Sequence, residues 1–454
     1  MHLRCPRIVV GWVTCTLLLG LATAGRAQTN SEVFQDFQWN LSTPGARANG
    51  MGRAFIGLAD DATAAVANPA GLTSLTRPQV YVEYKNTQLR VDRLSGPTSL
   101  TTLTTTPFGD TINNVSFLSI AVPIGHGITV SFARHQFLDH EETFDYAPRA
   151  EPNNNGLTFF GVHASSQFKA ASYMGAAAIS LLSDTVRLGV SVSADRLSAS
   201  SDLIRYDINF STNPPSSTGT VIQEIRIPST DSNSASVTIG GQYRPNSVVS
   251  IGAVYIKAPS FTFSEDFLDG TGAQLSGITP TGVAVTFPQT LSLHVPSRYG
   301  VGVAVRPTQL GSRFVAVFDV SHLNYSDLAK DFVVTNRFDS VLPENFTIED
   351  KTEIHVGGEY NLLTGKNPVF VRGGVFTSPD HRLHYAATAA APIASAGCDR
   401  TCQSTVYTDQ FNLLAEKTRV YGTIGGGVVL GPHLQLDASY VGTKEFVASV
   451  AARF

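Results

Sequence analysis

The last ten residues, EFVASVAARF (445–454), alternate between two kinds of side chain. Phe446, Val450 and Phe454 share one face of an extended chain with small alanines, and Ser449 lies on the other face. Because successive residues of a strand point to opposite faces, this period of two predicts a β-strand with one apolar face. The sequence ends on an aromatic residue of that face.

The same alternation recurs upstream. Residues 186–195 and 299–306 each place apolar side chains on one face and small or polar ones on the other. A soluble β-sandwich alternates in the same way, so the number and layout of the strands must decide the fold. We predict about fourteen strands, an even number within the range of bacterial barrels. The predicted strands are residues 78–93, 113–123, 127–138, 168–182, 185–209, 234–244, 247–263, 297–306, 313–327, 351–362, 368–377, 418–430, 433–441 and 445–454.

The connections between these strands alternate in length. Short turns follow every second strand, and between them lie the long stretches 94–112, 139–167, 210–233, 264–296, 328–350 and 378–417. Bacterial barrels have short periplasmic turns and long extracellular loops, whereas a sandwich has no reason to sort its loops by side. The pattern therefore places both termini in the periplasm. Only the final connection, 442–444, is short where a long loop is expected.

The composition agrees with a membrane barrel. Of the 454 residues, 43% are hydrophobic and only 15% are charged, against about 25% charged residues in an average globular chain. A bilayer-spanning helix needs about 20 apolar residues in a row, and beyond the N-terminus the apolar runs are shorter. The remaining structure that can cross a bilayer is a closed barrel. We therefore predict an all-β transmembrane antiparallel barrel spanning residues 78–454.

The N-terminus has the features of a secretory signal peptide. Arg4 and Arg7 precede an apolar stretch, 8–24, and Gly25-Arg26-Ala27 supplies small residues for cleavage after Ala27. A membrane anchor is the weaker interpretation, because the segment is short for a span. The chain carries a formal net charge of −4, and loss of residues 1–27 makes it more acidic, which weighs against a nucleic-acid partner.

Cys398 and Cys402 are the cysteines that remain after such cleavage. In an oxidising compartment a pair at this spacing is expected to form a small disulfide that holds a loop tip. A metal site would need more ligands nearby, so we expect neither a metal nor another cofactor.

The segment before the first strand, residues 28–77, is too long for a tail and too patterned for a linker. It contains GARANGMGRAFIGLADDATAAVANPAGL (45–72), in which Asp60 or Asp61 can cap a short helix through Ala67. Glycines that allow close packing are Gly45, Gly50, Gly52 and Gly57. These features predict a compact hatch inside the barrel. The alternative is a periplasmic arm.

Six features of the mature chain point to one family. They are GARANGMG from Gly45, ADDATAAVANPAGL ending in Asn68-Pro69-Ala70-Gly71-Leu72, VPSRYGVGVAVRP from Val295, FDVSHLNYSDL from Phe318, EIHVGGEYNLL from Glu353 and the terminal Phe454. Together they resemble the long-chain fatty acid transporters of the outer membrane, the FadL/TodX group. Secretion-associated relatives of the PorV type carry a similar N-terminal stretch.

The resemblance implies a fourteen-stranded monomeric barrel with an N-terminal hatch, in contact with lipopolysaccharide and outer membrane lipid. It also implies insertion by the barrel assembly machinery, for which Phe454 would be the C-terminal signal. The implied function is passive uptake of long-chain fatty acids or other hydrophobic small molecules. A ligand would be captured among the extracellular loops, enter an apolar pocket, and leave after hatch rearrangement, sideways beside a kinked third strand. That strand is 127–138 here, and its sequence carries no kink signal.

Aromatic-rich segments are the candidates for the ligand-binding surface. We expect Phe137, Phe261 and Phe263 to bind the ligand, together with Phe55, Ile56 and Leu58 of the hatch. Leu138, Phe159, Phe160, Phe267 and Phe332 belong to the same segments. The alternative for each aromatic residue is the interfacial girdle that every membrane barrel carries.

A fatty acid carboxylate also needs a cationic partner. Arg372 has the opposite parity to Val371 and Val375 and therefore points to the lumen. Glu359, His355 and Glu353 on the preceding strand can share that surface. The favoured interpretation is a luminal salt-bridge network, and ligand contact by Arg372 is the alternative.

Enzyme motifs are absent from the sequence: it contains no G-x-S-x-G, H-E-x-x-H or P-loop. We therefore expect a protein that is not an enzyme. Two functions remain open. One is transport of hydrophobic molecules, and the other is a PorV-like barrel that serves as a secretion or docking partner without its own cargo.

Overall fold

The protein is described by a computed structural model covering residues 41, 43–99, 102–147, 149–150, 158–159, 161–209, 211–212, 216–278, 284–286, 288–307, 313–330, 346–379, 381, 384–385 and 418–454. The helices are α1 (Ala46–Gly50), α2 (Ala64–Ala67) and two 3₁₀ helices, Pro69–Ser74 and Tyr325–Ala329. The strands are β1 (Gln79–Ser99), β2 (Thr102–Gly125), β3 (Ile128–Tyr146), β4 (Arg149–Ala150), β5 (Thr158–Phe159), β6 (Gly161–Leu181), β7 (Val186–Asn209), β8 (Ser216–Tyr243), β9 (Val249–Lys257), β10 (Ser260–Asp269), β11 (Ser276–Ile278), β12 (Ala284–Thr286), β13 (Gln289–His294), β14 (Arg298–Val305), β15 (Phe314–Leu323), β16 (Phe346–Thr347), β17 (Lys351–Leu363), β18 (Val369–Ser378), β19 (His384–Tyr385), β20 (Arg419–Leu430), β21 (Leu434–Val441) and β22 (Glu445–Arg453).

Fourteen of these strands form a closed antiparallel barrel. The barrel order is β1-β2-β3-β6-β7-β8-β9-β14-β15-β17-β18-β20-β21-β22, and the ring closes where β22 pairs with β1. β10 pairs with the upper part of β8 and with β13, outside the ring itself. The remaining short strands pair as β4–β5, β11–β12 and β16–β19. The predicted fold class is confirmed.

The two faces of the strands differ as the alternation predicts. On β22, Phe446 and Val450 are exposed on the outer face, whereas Val447, Ser449 and Ala451 are buried on the inner one. The outer apolar side chains form the surface that meets lipid, because hydrocarbon solvates them while water does not. The charge-poor composition follows from this lipid-facing surface.

Short turns and long connections lie at opposite ends of the barrel. We call these the turn end, where residues 182–185 and 431–433 form tight turns, and the loop end. The final loop-end connection, 442–444, is short as predicted.

Several strand limits differ from the prediction. Much of 94–112, 139–167 and 210–233 was expected to be loop, but these stretches extend β1, β2, β3, β6 and β8. Beyond the lipid both faces of a strand carry polar residues, so the alternation that identifies a strand disappears there. The predicted strand 247–263 is two strands, β9 and β10, because Pro259 lies between them and has no N–H for a ladder.

Residues 43–77 fill the lumen near the turn end, and we call them, with Leu41, the hatch. Its alanine-rich core, with Met51, Phe55 and Leu72, is buried against barrel residues such as Phe117 and Val317. Luminal glycines let the two backbones approach: a Cβ on Gly374 would lie 2.3 Å from the Gly52 amide nitrogen, and one on Gly189 would lie 2.3 Å from the carbonyl carbon of Pro69. The described part of residues 28–77 therefore lies inside the barrel.

The predicted helix in the hatch is present, but its start is different. α2 begins after Thr63, and Asp61 Oδ1 accepts the Thr63 amide at 2.9 Å instead of capping the first turn. Asp60 forms ion pairs with Arg47 and Arg306. The helix ends at Ala67, and Pro69 begins the following 3₁₀ helix.

Some predicted features lie outside the described residues. These are the signal peptide 1–27, the Cys398–Cys402 pair, Phe160 and Phe332. Among the described residues, no helix is both long enough and apolar enough to span a membrane.

The close approach of hatch and wall predicts a large difference between two adjacent glycines of β18. Gly374→Ala places a Cβ 2.3 Å from the Gly52 nitrogen, whereas a Cβ on Gly373 has no atom nearer than 3.9 Å. Overpacking of this kind costs about 1–3 kcal/mol. We expect Gly374→Ala to make the hatch sensitive to protease and to lower the temperature at which the barrel loses its folded mobility in gels. Gly373→Ala should match the unaltered protein, and equal behaviour of the two variants would contradict this packing.

Candidate functional site

Above the hatch, toward the loop end, the lumen contains a second group of buried apolar side chains, which we call the apolar cluster. β3, β6 and β7 supply its wall, and the β10–β13 hairpin folds over it. The members are Phe137, Leu138, Phe168, Ala170, Leu197, Ala199, Ile227, Phe261, Phe263, Leu291, Leu293 and Val295. The cluster lies away from the lipid-facing surface, so these aromatic residues are not part of the girdle.

Aromatic contacts join opposite parts of the cluster. The rings of Phe137 and Phe261 are stacked with centroids 6.5 Å apart, and those of Phe168 and Phe263 meet edge to face at 6.3 Å. The structure thus brings together Phe137, Phe261 and Phe263, three of the residues predicted to bind ligand. Phe168 was missed, although its luminal parity with Ala170 on the predicted strand 168–182 would have identified it.

A cavity lies beside the cluster, between the hatch and the wall formed by β9, β14, β15 and β17. Leu41, Ile56 and Leu323 give it apolar surface, and Arg298 and Glu353 give it charge. Leu41 also packs against the apolar cluster, so the cavity and the cluster share a boundary. Of the predicted hatch residues, Ile56 lines this cavity, whereas Phe55 and Leu58 are buried in the hatch core.

Arg298 differs from the other arginines of this region. Arg53 also lines the cavity, but it pairs with Glu445 at 2.8 Å and lies over the Phe376 ring at 4.4 Å. Arg298 forms no ion pair or hydrogen bond within the described part of the chain. Its inward direction could have been predicted, because Tyr299 next to it faces outward.

Arg372 belongs to a network of ion pairs beneath the hatch. Its Nε lies 2.7 Å from Glu359 Oε2 and its Nη1 lies 2.8 Å from Asp437 Oδ1. Glu359 also binds Arg47 of the hatch at 2.9 Å, and Arg47 binds Asp60 at 2.5 Å. This arrangement is the luminal salt-bridge network that the sequence analysis favours. Arg372 lies apart from the apolar cluster, where the predicted aromatic ligand-binding residues meet.

Further hydrogen bonds attach the hatch backbone to the wall. Asp319 accepts the Ile56 amide at 2.7 Å, and His355 Nδ1 lies 3.0 Å from the Gly52 carbonyl oxygen. Thr423 accepts the Gly52 amide at 2.9 Å. These contacts satisfy hatch backbone groups that an irregular segment would otherwise leave unpaired.

The NPAG element organises the hatch from within. The Asn68 amide donates to the Ile56 carbonyl at 3.0 Å and to the Gly241 carbonyl of β8 at 3.1 Å, and its oxygen accepts the Ala70 amide. Gly71 is required because a Cβ there would lie 1.9 Å from the Ala59 carbonyl oxygen.

Two other glycines of the hatch lie close to the wall. Gly45 has a φ of 104° and donates its amide to Glu83, and Gly50 lies against Gly425.

The ladder between β2 and β3 ends early. The last pair of this ladder on the way to the loop end is Phe117–His135. Beyond it, β2 pairs with β1 alone and β3 with β6 alone. The pairing of β3 with β6 has a register shift between Gln136 and Leu138, and such a bulge bends a strand. Residues 127–138 carry no sequence signal for this bend. Side chains bridge the gap: Asn114 Nδ2 donates to Asp139 Oδ2 at 2.6 Å, and Arg134 donates to the Val115 carbonyl at 2.9 Å.

Metal binding finds no support in the described part of the chain. No group of three or more His, Cys, Asp or Glu side chains there is arranged to hold an ion.

Comparison with known proteins identifies the family. The family model described as outer membrane protein transport protein (OMPP1/FadL/TodX) matches residues 41–376. The chain belongs to the FadL/TodX family. The barrel is therefore an outer membrane protein of a family of transport channels for hydrophobic compounds. A search of curated proteins found no match.

Solved structures of this family share the fold. A Pseudomonas aeruginosa FadL homologue matches with a TM-score of 0.57 at 14% identity, covering 92% of this chain and 99% of its own. The Ralstonia pickettii toluene transporter TbuX matches with a TM-score of 0.52 at 12% identity, and the P. putida toluene transporter TodX with 0.52 at 13% identity; each alignment covers 91% of this chain and 99% of the other. At these identities the likeness concerns the fold.

Asp61 makes the attachment of the hatch dependent on pH. Burial raises its pKa from 3.8 to about 6, and Arg47, 3.9 Å away, only partly opposes this. The docked hatch favours the protonated Asp61 carboxyl. The contribution of Asp61 to the stability of the docked hatch is therefore complete at low pH and is lost as the pH rises through about 6. Between pH 5 and 8 the difference amounts to about 1 kcal/mol.

We expect amides of α2 to exchange hydrogen more slowly at pH 5 than at pH 8, after correction for the intrinsic exchange rates. Asp61→Asn should remove this difference, since the neutral amide can still accept the Thr63 amide hydrogen. A pH dependence that persists in Asp61→Asn would assign the effect to another group.

Proposed function

We propose that this protein takes up hydrophobic molecules such as long-chain fatty acids across the outer membrane, passively and through its own barrel. The observation that carries the proposal is the buried apolar cluster, which adjoins a cavity containing Arg298, an arginine with no hydrogen bond or close ion pair among the described residues. Removing apolar surface from water stabilises a bound chain by about 25 cal/mol per Å², or about 0.8 kcal/mol per buried CH₂. A ligand tail in the cluster would therefore be held by the same effect that holds the cluster together.

Arg298 favours a carboxylate at the polar end of the ligand. A guanidinium binds a carboxylate through charge-assisted hydrogen bonds, which are stronger than neutral ones. Two solved relatives are named toluene transporters and one a FadL homologue. In this chain, Arg298 is attracted by Glu353 but forms no hydrogen bond or close ion pair among the described residues. A cation so placed beside an apolar cluster supports a fatty acid over a neutral hydrocarbon.

Release requires two local movements. A shift of the hatch at Leu41 and Ile56 would open the cavity toward the cluster, since both residues line the cavity. Exit would then follow the unpaired stretch between β2 and β3, beside Phe137. Only side-chain hydrogen bonds close that stretch among the described residues, so it can part without breaking a backbone ladder.

The family also supplies the setting that we propose for transport. Residues 1–27 would be removed as a signal peptide, and the barrel assembly machinery would insert the monomer through its C-terminal signal at Phe454. Both termini, at the turn end, would face the periplasm, and the loop end would lie among lipopolysaccharide. The comparisons give no support to the docking interpretation, because the matched family consists of transport proteins.

The proposal predicts that Arg298 distinguishes ligands by their head group. Arg298→Met should weaken oleate binding by about 1.5–3 kcal/mol, or roughly 10- to 150-fold in Kd, whereas toluene binding should be unchanged. Arg298→Lys should recover part of the affinity for oleate because it retains the charge. Equilibrium binding of radiolabelled oleate and toluene to detergent-purified protein measures both. Equal weakening of the two ligands would show a packing defect, and an unaltered protein that binds neither would disprove the proposed function.

A second prediction concerns exit between β2 and β3. Asn114→Cys with Asp139→Cys replaces the 2.6 Å hydrogen bond by a disulfide. In the oxidised state we expect cells to lose most of their oleate uptake and to regain it on reduction, while oleate binding persists. Val122→Cys with Val130→Cys joins the same two strands where they are already paired, and it serves as the control. Undiminished uptake through the locked gap would place the exit elsewhere.

A further inference from the structure

The barrel wall has a second interruption, in the backbone pairing along one side of β8. Its lower part, Val237–Tyr243, pairs with β9, and Gln223–Arg226 pairs with β10. Between them, residues 227–236 have no backbone partner on the side that faces β10, and the whole stretch lies within the described range 216–278. We call this stretch, together with β10 residues 260–265 opposite it, the β8–β10 seam.

The sequence explains why the ladder breaks here. Pro228 has no N–H to donate, and the pairing of β8 with β7 jumps from Ala199–Thr230 to Ser201–Ile227. On the other side, Pro259 separates β9 from β10, and β10 then pairs with β13. As a result, β8 and β10 do not form a backbone ladder with each other over this stretch.

Serine side chains take the place of the missing backbone bonds. Ser234 Oγ accepts the Ser260 amide at 3.2 Å, and Ser232 Oγ accepts the Thr262 amide at 3.1 Å. A neutral hydrogen bond contributes only about 1 kcal/mol net, and a hydroxyl can rotate to another partner or to water. The seam is therefore closed by contacts that separate more easily than a ladder.

The seam separates the apolar cluster from the outside. Ile227, Phe261 and Phe263 lie directly behind it and are buried. On the outer face, the side chains change from apolar at Ile239, which is exposed to lipid, to polar at Asp231, which pairs with Arg196 at 2.6 Å. A surface ion pair belongs outside the hydrocarbon, so the seam opens beyond the lipid-facing band, toward the polar outer layer.

We propose that the β8–β10 seam is a side entrance through which a hydrophobic molecule passes from the polar outer layer into the apolar cluster. This inference rests on the proposed function and adds to it the route of entry. Parting of Ser232 and Ser234 from β10 exposes Phe261 and Phe263, which receive the apolar chain. The β10–β13 hairpin is the element that moves.

The test is a reversible lock. Ser234→Cys with Ser260→Cys joins β8 to β10 at the hydrogen-bonded site. Ala194→Cys with Ala235→Cys joins β8 to β7 instead, at register partners on the outer face. Uptake of radiolabelled oleate is measured in cells that lack their own transporter, before and after reduction, and mass spectrometry measures the bridged fraction.

We expect the bridged Ser234→Cys/Ser260→Cys protein to lose most of its uptake, to recover it on reduction, and to retain oleate binding at equilibrium after purification. The control should transport equally in both states. Full uptake through the bridged seam would overturn the side entrance while leaving the proposed function intact. Absence of uptake by the unaltered protein would instead refute the proposed function.

A second variant covers the case in which the bridge does not form. Ser232→Ala with Ser234→Ala removes both hydroxyls and loosens the seam, so the initial rate of uptake should rise. A rate that is unchanged or reduced, in a barrel that still migrates as folded, would equally overturn the entrance.

Discussion

The pairing of every backbone N–H and C=O group within the bilayer is the constraint on which this structure depends. Hydrocarbon offers these groups no partner, so strands can cross only as a closed ring. The ring closes through the β1–β22 and β8–β9 ladders, and the residues that face lipid are paired on both sides there. Both interruptions of the wall begin toward the loop end, where polar side chains and water can replace a ladder. The bilayer therefore decides where openings are tolerated.

The hatch occupies part of the interior of this ring, and ion pairs join it to the wall beside its apolar core. Arg372 is enclosed by Glu359 and Asp437, and Arg47 of the hatch shares Glu359. Burying a single charge would be costly, but these groups are paired with opposite charges, so the lumen can be charged. Glycines of the wall then bring the hatch backbone into contact with the strands, as Gly374 does against Gly52.

The sequence predicts those parts of the fold in which apolar and polar side chains alternate between the two faces of a strand. Alternation located the strands that face lipid, the parity of Arg372, and the short final turn at 442–444. It fails where both faces are polar, so it predicts loops where the structure has the upper parts of β2, β3 and β8. The candidate site was found only in part. Phe137, Phe261 and Phe263 could be chosen by their aromatic character, but their meeting depends on the bend in β3 and the inward fold of β10. Arg298 has luminal parity, yet only the structure shows that none of the described residues forms a hydrogen bond or close ion pair with it.

The strength of these contacts favours a path that leaves the hatch largely in place. Removing one partner of a buried ion pair typically costs about 3–5 kcal/mol, and the hatch is attached by several such pairs in addition to the Asp319 and Thr423 hydrogen bonds. Two serine hydroxyls bridge the β8–β10 seam by neutral hydrogen bonds, each of which contributes only about 1 kcal/mol. The stack of Phe261 on Phe137 joins that seam to the gap beside β3. A molecule crossing the lumen along this stack would pass above the hatch and need only the local shift at Leu41 and Ile56 to place its head group beside Arg298.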